Sequence, residues 1–179
     1  IVIFDGNFFD NLKHSRPRSL RKALPWYFKA QLLSLLAKIN PSVLNHDFLV
    51  RNILADGYTI HSQVPLKIDG GTSGTMARTV GLGMVRMVDE LKRLRPQIVF
   101  VNADRFEMMA VALAAAYLGI PIAHNEGGDI SGTLDESIRH AITKLSHIHF
   151  TGTKQSHTRV LQMGENPEHT HIVGSPAID

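Results

Sequence analysis

Cysteine is absent from this chain of 179 residues. That excludes a disulfide framework and a thiolate-held metal, and it fits a reducing cytoplasm. No apolar run reaches the roughly 20 residues of a membrane-spanning helix, and no signal peptide is visible. Acidic residues are missing between Asp10 and Asp47, where Lys13, Arg16, Arg18, Arg21, Lys22, Lys29 and Lys38 all fall. Aromatics are scarce, and none is interleaved there in a base-stacking pattern. We read the run as a solvated helix face, with neither nucleic acid nor membrane as a partner. A Gly-x-Gly-x-x-Gly after the first strand, a Walker sequence and a His-Glu-x-x-His are missing too. Dinucleotide, P-loop and zinc-protease readings therefore have no support. His147-x-His149 and His169-x-His171 offer two nitrogens each, with no third ligand at a metal spacing. No metal and no cofactor is expected.

What is present is a regular alternation. The length suits one α/β domain. Ile1 to Phe4 reads as a strand ended by Asp5-Gly6. Leu20 to Ile39 and Asp47 to Ala55 read as helices, and Tyr58 to Val64 as a strand. Thr75 to Leu94 carries apolar residues at helical spacing and is stopped by Arg95-Pro96. Strands over 98–101, 120–123, 148–151 and 171–173 then alternate with helices over 105–118, 133–146 and 154–163. Short links between such elements predict a parallel, doubly wound sheet. Function in such sheets collects at the carboxyl ends of the strands.

Three acidic positions stand at such ends. Asp104 follows the strand at 98–101, either as a helix N-cap paired with Glu107 or as a crevice carboxylate. Glu126 follows the next strand, ahead of Gly127-Gly128, whose backbone suits a sharp turn or close approach to a ligand. Glu136 stands three residues after Thr133, the spacing of a capping box, and a capped helix start is a rigid mount. On this last helix Ile138, Ala141, Ile142 and Leu145 are expected to be buried. Glu136, His140, Thr143, Lys144 and His147 form the polar stripe. If that stripe faces the crevice, Glu136 and His140 make an acid/base couple. We expect Asp104, Glu126 and Glu136 to converge at one sheet edge.

These residues carry a resemblance. Asp104-Arg105-Phe106, His124-Asn125-Glu126-Gly127-Gly128, the run from Ser131 through Asp135-Glu136-Ser137-Ile138-Arg139-His140 to His147, and Val173 to Asp179 resemble UDP-N-acetylglucosamine 2-epimerases. The likeness is closest to the hydrolysing branch that feeds sialic-acid-type sugar synthesis, and it covers about Ala55 to Asp179. Segment 12–44 diverges, Asn102-Ala103 replaces the family's His-Gly, and Phe8 stands where an Arg is usual.

The resemblance implies a Rossmann-like sheet with helices on both faces, the first half of a glycosyltransferase-B-type enzyme. Residues 1–179 would then be an N-terminal domain, and the half holding most of the UDP contacts would be missing. Such a piece is expected to be inactive alone, and the full-length enzyme to be a cytoplasmic homo-oligomer. The implied reaction expels UDP from C1 as the C2 proton leaves, giving a 2-acetamidoglucal. Water then adds, and N-acetylmannosamine emerges inverted at C2. The resemblance makes Asp104, Glu126 and Glu136 the catalytic carboxylates. It puts Arg105, Gly127, Gly128, Asp135, Ser137, Arg139 and His140 against the UDP-sugar. The non-hydrolysing epimerase and a non-catalytic nucleotide-sugar-binding fragment are the rival readings.

Overall fold

The computed structural model describes residues 2–4, 51, 54–55, 60, 62–65, 72–102 and 105–175. The elements are β1 (Val2–Phe4), α1 (Ser73–Leu94), β2 (Ile98–Asn102), α2 (Met108–Tyr117), β3 (Ile122–Asn125), α3 (Leu134–Leu145), β4 (Ile148–Thr151), α4 (Lys154–Gln162), a 3-10 turn (Pro167–His169) and β5 (Thr170–Ile172). The strands stand side by side in chain order. Pairing is parallel from β2 to β5. The fold is therefore the expected Rossmann-like α/β sheet, but among the described residues α1, α2 and α3 share one core on one face, where helices on both faces were expected. Each crossover steps one place in the same direction, so right-handed connections place α2, α3 and α4 on one face. The helices expected from 20–39 and most of 47–55 lie outside the described residues.

Three expectations need correction. β1 pairs antiparallel with β2, Val2 opposite Phe100 and Phe4 opposite Ile98. A long connection leaves an edge strand free to run either way, and antiparallel edges on parallel sheets are common. Ile60 and residues 62–65 are in no strand, although they alternate. The third strand runs over 122–125, two residues later than expected. Pro121 has no N–H to give the ladder; its carbonyl accepts from Val99 instead, at 2.9 Å.

The core lies between the sheet and its helices. Val99 and Val101 of β2 and Ile122 of β3 meet Met87 and Leu91 of α1. Ile142 of α3 closes the cluster. Helix α2 packs against α1, α3 and the sheet. That position explains its sequence: Ala110, Val111, Ala112, Ala114 and Ala115 are buried around most of its circumference, as a central helix requires. The opposite face of the sheet carries Phe100, Phe150 and His171, with ring centroids about 6 Å apart.

Candidate active site

Cross-strand register builds the carboxyl edge. Asn102 ends β2 opposite Asn125, which ends β3. The Asn125 side-chain amide Nδ2 donates to the Asn102 side-chain oxygen Oδ1 at 3.2 Å. Glu126 comes next, with φ at 62°, a backbone region costly for any residue with a Cβ. Its N–H still extends the ladder, donating to Phe150 O at 2.8 Å. The Ser175 hydroxyl, beyond β5, donates to the Glu126 carboxylate at 3.4 Å. Thus the ends of β2, β3 and β5 contribute to one locus, and strained backbone held there is what a functional site tends to store.

Asp104 lies outside the described residues. Arg105 is exposed and forms a bidentate pair with Glu107, at 3.1 and 2.9 Å. Glu107 is the N-cap of α2 without a side-chain capping bond.

Glycines 127 and 128 have a packing reason. A Cβ on Gly127 would stand 3.1 Å from His124 Nδ1 and from Thr143 Oγ1. One on Gly128 would stand 2.2 Å from Ser156 O. The loop is then tied down by its own carbonyls. Arg159 donates to Gly128 O at 2.9 Å, and Arg139 to Asp129 O at 2.8 Å. Ser156 donates to the Asp129 carboxylate. Thr153 caps α4 through Ser156 N–H.

Helix α3 begins after Thr133, but the expected capping box does not form. Thr133 makes no side-chain cap bond; its hydroxyl meets that of Ser131 at 3.1 Å. Glu136 reaches past it. One carboxylate oxygen accepts from the N–H groups of Ser131 and Gly132, both at 2.7 Å. Those two bonds hold the Glu136 carboxyl below its ordinary range. No hydrogen bond is seen between Glu136 and His140: His140 Nε2 is buried without a hydrogen-bond partner, although His140 is close enough to help hold the Glu136 carboxyl low, after the Gly132 and Ser131 bonds. Asp135 is half-buried in the same first turn and Ser137 is exposed. Both acidic residues there suit the positive end of a helix.

The expected apolar stripe of α3 is present, with Ile142 buried and Ile138 and Leu145 packed against the core. The polar stripe needs correction, because Thr143 is buried, and so is Arg139. Arg139 goes inward because Asp129 O needs a donor, and Thr143 because its hydroxyl lies 3.2 Å from His124 Nδ1. His124 is wholly buried. Burial, then the positive charges of His149, Arg139 and His140, push it down to about 3. His149 is buried beside it in register. Burial lowers His149 too, against the pull of Glu165, 3.1 Å away. Glu165 also pairs with Lys144 at 2.6 Å.

Stability should therefore depend on pH. An unfolded His titrates near 6.5, so between pH 6.5 and 3 the unfolded chain takes up a proton that His124 in the fold refuses. The stabilisation is full above about pH 6.5 and falls as pH drops toward 3. His149 and His171, also lowered by burial, act in the same direction. Each such His costs at most about 1.4 kcal/mol per pH unit. We expect a lower urea midpoint at pH 5 than at pH 7.5, and a shallower pH slope in His124→Gln. Equal midpoints at the two pH values would overturn this.

Among the described residues, no His, Asp and Glu group of three or more is arranged to hold a metal, and no helix is long and apolar enough to cross a membrane. A shallow cleft lined by Leu91, Lys92, Pro96 and Ile120 sits at the opposite, amino edge and has no carboxylate in its lining. The residues that sequence reasoning missed are Asn125, Asp129, Ser156, Arg159 and Ser175. Asn125 and Ser175 stood in the runs that carried the resemblance but were given no role, and Ser156 stood in the Thr153-x-x-Ser156 start of α4.

Comparison with known proteins shows what the chain is similar to in sequence and in fold. The family model described as UDP-N-acetylglucosamine 2-epimerase matches residues 45–179. The UDP-N,N'-diacetylbacillosamine 2-epimerase (hydrolyzing) of Legionella pneumophila is 39% identical over 130 residues, 73% of this chain and 34% of that protein. A UDP-N-acetylglucosamine 2-epimerase of Neisseria meningitidis is 42% identical over 113 residues, 63% of this chain and 29% of that protein. A crystal structure of a UDP-N-acetylglucosamine 2-epimerase shares the fold, with a TM-score of 0.69 at 23% identity, over 86% of this chain and 46% of that one. The chain thus spans about a third of the length of the curated relatives it matches.

Proposed function

The chain belongs to the UDP-N-acetylglucosamine 2-epimerase family, and on that premise we propose that it is the acid/base half of a hydrolysing 2-epimerase. The substrate is a UDP-linked 2-acetamido sugar, and UDP-N-acetylglucosamine is our first choice. The observation that carries the reading is Glu126, held at φ 62° on the carboxyl edge of the sheet. A carboxylate fixed there in strained backbone is suited to take the proton from C2 of the sugar. UDP departs from C1 as the C1–C2 double bond forms. Water adds its oxygen to C1, and a proton returns to C2 from the other face. That second transfer needs another carboxylate, which we assign to Asp104 or to Asp135. Arg105, Ser137, His140 and the Gly127-Gly128 backbone line the sugar side, and Arg139 supports that loop from within by holding Asp129 O. A second nucleotide-binding half completes the site, so the 179 residues alone do not turn over. The full enzyme works as a cytoplasmic homo-oligomer in sialic-acid-type sugar synthesis. The Legionella relative, hydrolysing by name, supports the hydrolytic branch.

The full-length enzyme in D2O tests this. We expect free UDP and free N-acetylmannosamine carrying deuterium at C2. Intact UDP-N-acetylmannosamine as the product would mean the non-hydrolysing reaction. Binding without any turnover would mean a nucleotide-sugar-binding protein.

A further inference from the structure

Glu136 stands out among the acidic residues because its carboxylate is already in use. One oxygen takes both the Ser131 and Gly132 N–H groups at 2.7 Å. Gly132 has φ at 69°, so the turn is one that needs an outside hold. Just before this turn Arg139 fixes Asp129 O. Just after it the chain enters α3 at Thr133 without a side-chain cap. Ile130, between those anchors, and Leu134, the first residue of α3, are both 59% exposed. Among the described residues, Glu136 ties this segment to α3: its carboxylate takes the Ser131 and Gly132 N–H groups, and its own N–H donates to Thr133 O at 3.1 Å.

We propose that Glu136 is a positioning residue, whose carboxylate fixes the Ser131–Gly132 turn and so sets how segment 130–134 meets the substrate. The role differs from proton transfer. Two short backbone donors on one oxygen stabilise the carboxylate and so lower the basicity of the whole group toward a substrate proton. The same bonds favour its charged form, so it is a poor acid near neutral pH. A displacement of about 1 Å at such a segment is enough to cost on the order of a hundredfold in rate. This inference rests on the epimerase reading and divides the labour within it.

The test compares Glu136→Gln and Glu136→Ala in the full-length enzyme, by kcat, KM and pH profile. The Gln carboxamide oxygen still accepts from both N–H groups; Ala has no acceptor. We expect Ala to lower kcat/KM at least tenfold and Gln to restore most of that loss. Both should keep the wild-type pH profile. Gln as impaired as Ala, or loss of one limb of the profile, would make Glu136 a proton carrier and overturn the proposal. Ala indistinguishable from wild type would overturn it as well. Amide exchange at Ser131 and Gly132 reads the hold directly, and Ala should speed it at least tenfold. A wild-type enzyme without turnover would instead sink the epimerase reading, while exchange would still report on the turn.

Discussion

Gly128→Ala should be the most destabilising single-methyl change in the β3–α3 loop. The added Cβ would stand 2.2 Å from the backbone oxygen of Ser156 and 3.0 Å from Val160 Cγ2. Backbone cannot swing aside as a side-chain tip can, so α4 must shift. The residue also has φ at 82°, which costs about 1–2 kcal/mol with a Cβ present. Overpacking adds about 1–3 kcal/mol. Against a typical total of about 5–15 kcal/mol, the sum is a large share. Gly119→Ala is the control. It shares a positive φ, at 66°, but has open space around the new Cβ, so it isolates the backbone cost. Urea unfolding should therefore rank Gly128→Ala well below Gly119→Ala. Equal losses would show that the loop yields and the close approach to α4 is not needed. Because Arg159 and Ser156 hold this same loop, the damage should extend to Glu126.

Glu126→Gln in the full-length enzyme should lose turnover by about 10²–10⁴ while keeping its melting temperature. Gln has the shape of Glu and still accepts from Ser175, and the N–H bond to Phe150 O is backbone. What it lacks is an exchangeable acid/base proton at C2, and positioned proton transfer contributes that range of rate. Glu126→Gly sharpens the test. Gly adopts φ near 62° without a Cβ penalty, so it should hold or raise the melting temperature while removing turnover. A structural role predicts the reverse, lower stability with activity retained. Turnover of Glu126→Gln within tenfold of wild type would remove Glu126 from the chemistry.

Much of the fold was legible along the chain. The helical spacing of Met76, Val80, Met84, Met87 and Leu91 placed α1 to within two residues at its start, and Arg95-Pro96 placed its end. Ile148 to Thr151 is a strand, with the bounds expected from the sequence. Gly164, at φ 90°, follows the end of α4. These are local matters: periodicity records which residues share a face, and breakers record where a backbone must turn. The ordered motifs around Glu126 and Glu136 likewise carried the family.

Partners across space decided the rest. Spacing put Thr143 on a polar stripe, yet it is buried, because a histidine on β3 gives its hydroxyl an inward partner. Arg139 turns inward for a carbonyl ten residues away. Thr133 and Glu136 have capping-box spacing, but the turn at Ser131 and Gly132 offers the carboxylate two donors at once, and two bonds outweigh one. The direction of β1 depended on a pairing nearly one hundred residues distant. Gly-Gly signalled freedom of backbone; only the approach of α4 showed that at Gly128 the absent side chain, as much as the turn, is what matters. A sequence thus determines which chemical groups stand together on one face, and the tertiary structure determines what meets that face, because a hydrogen bond or a clash needs a second surface.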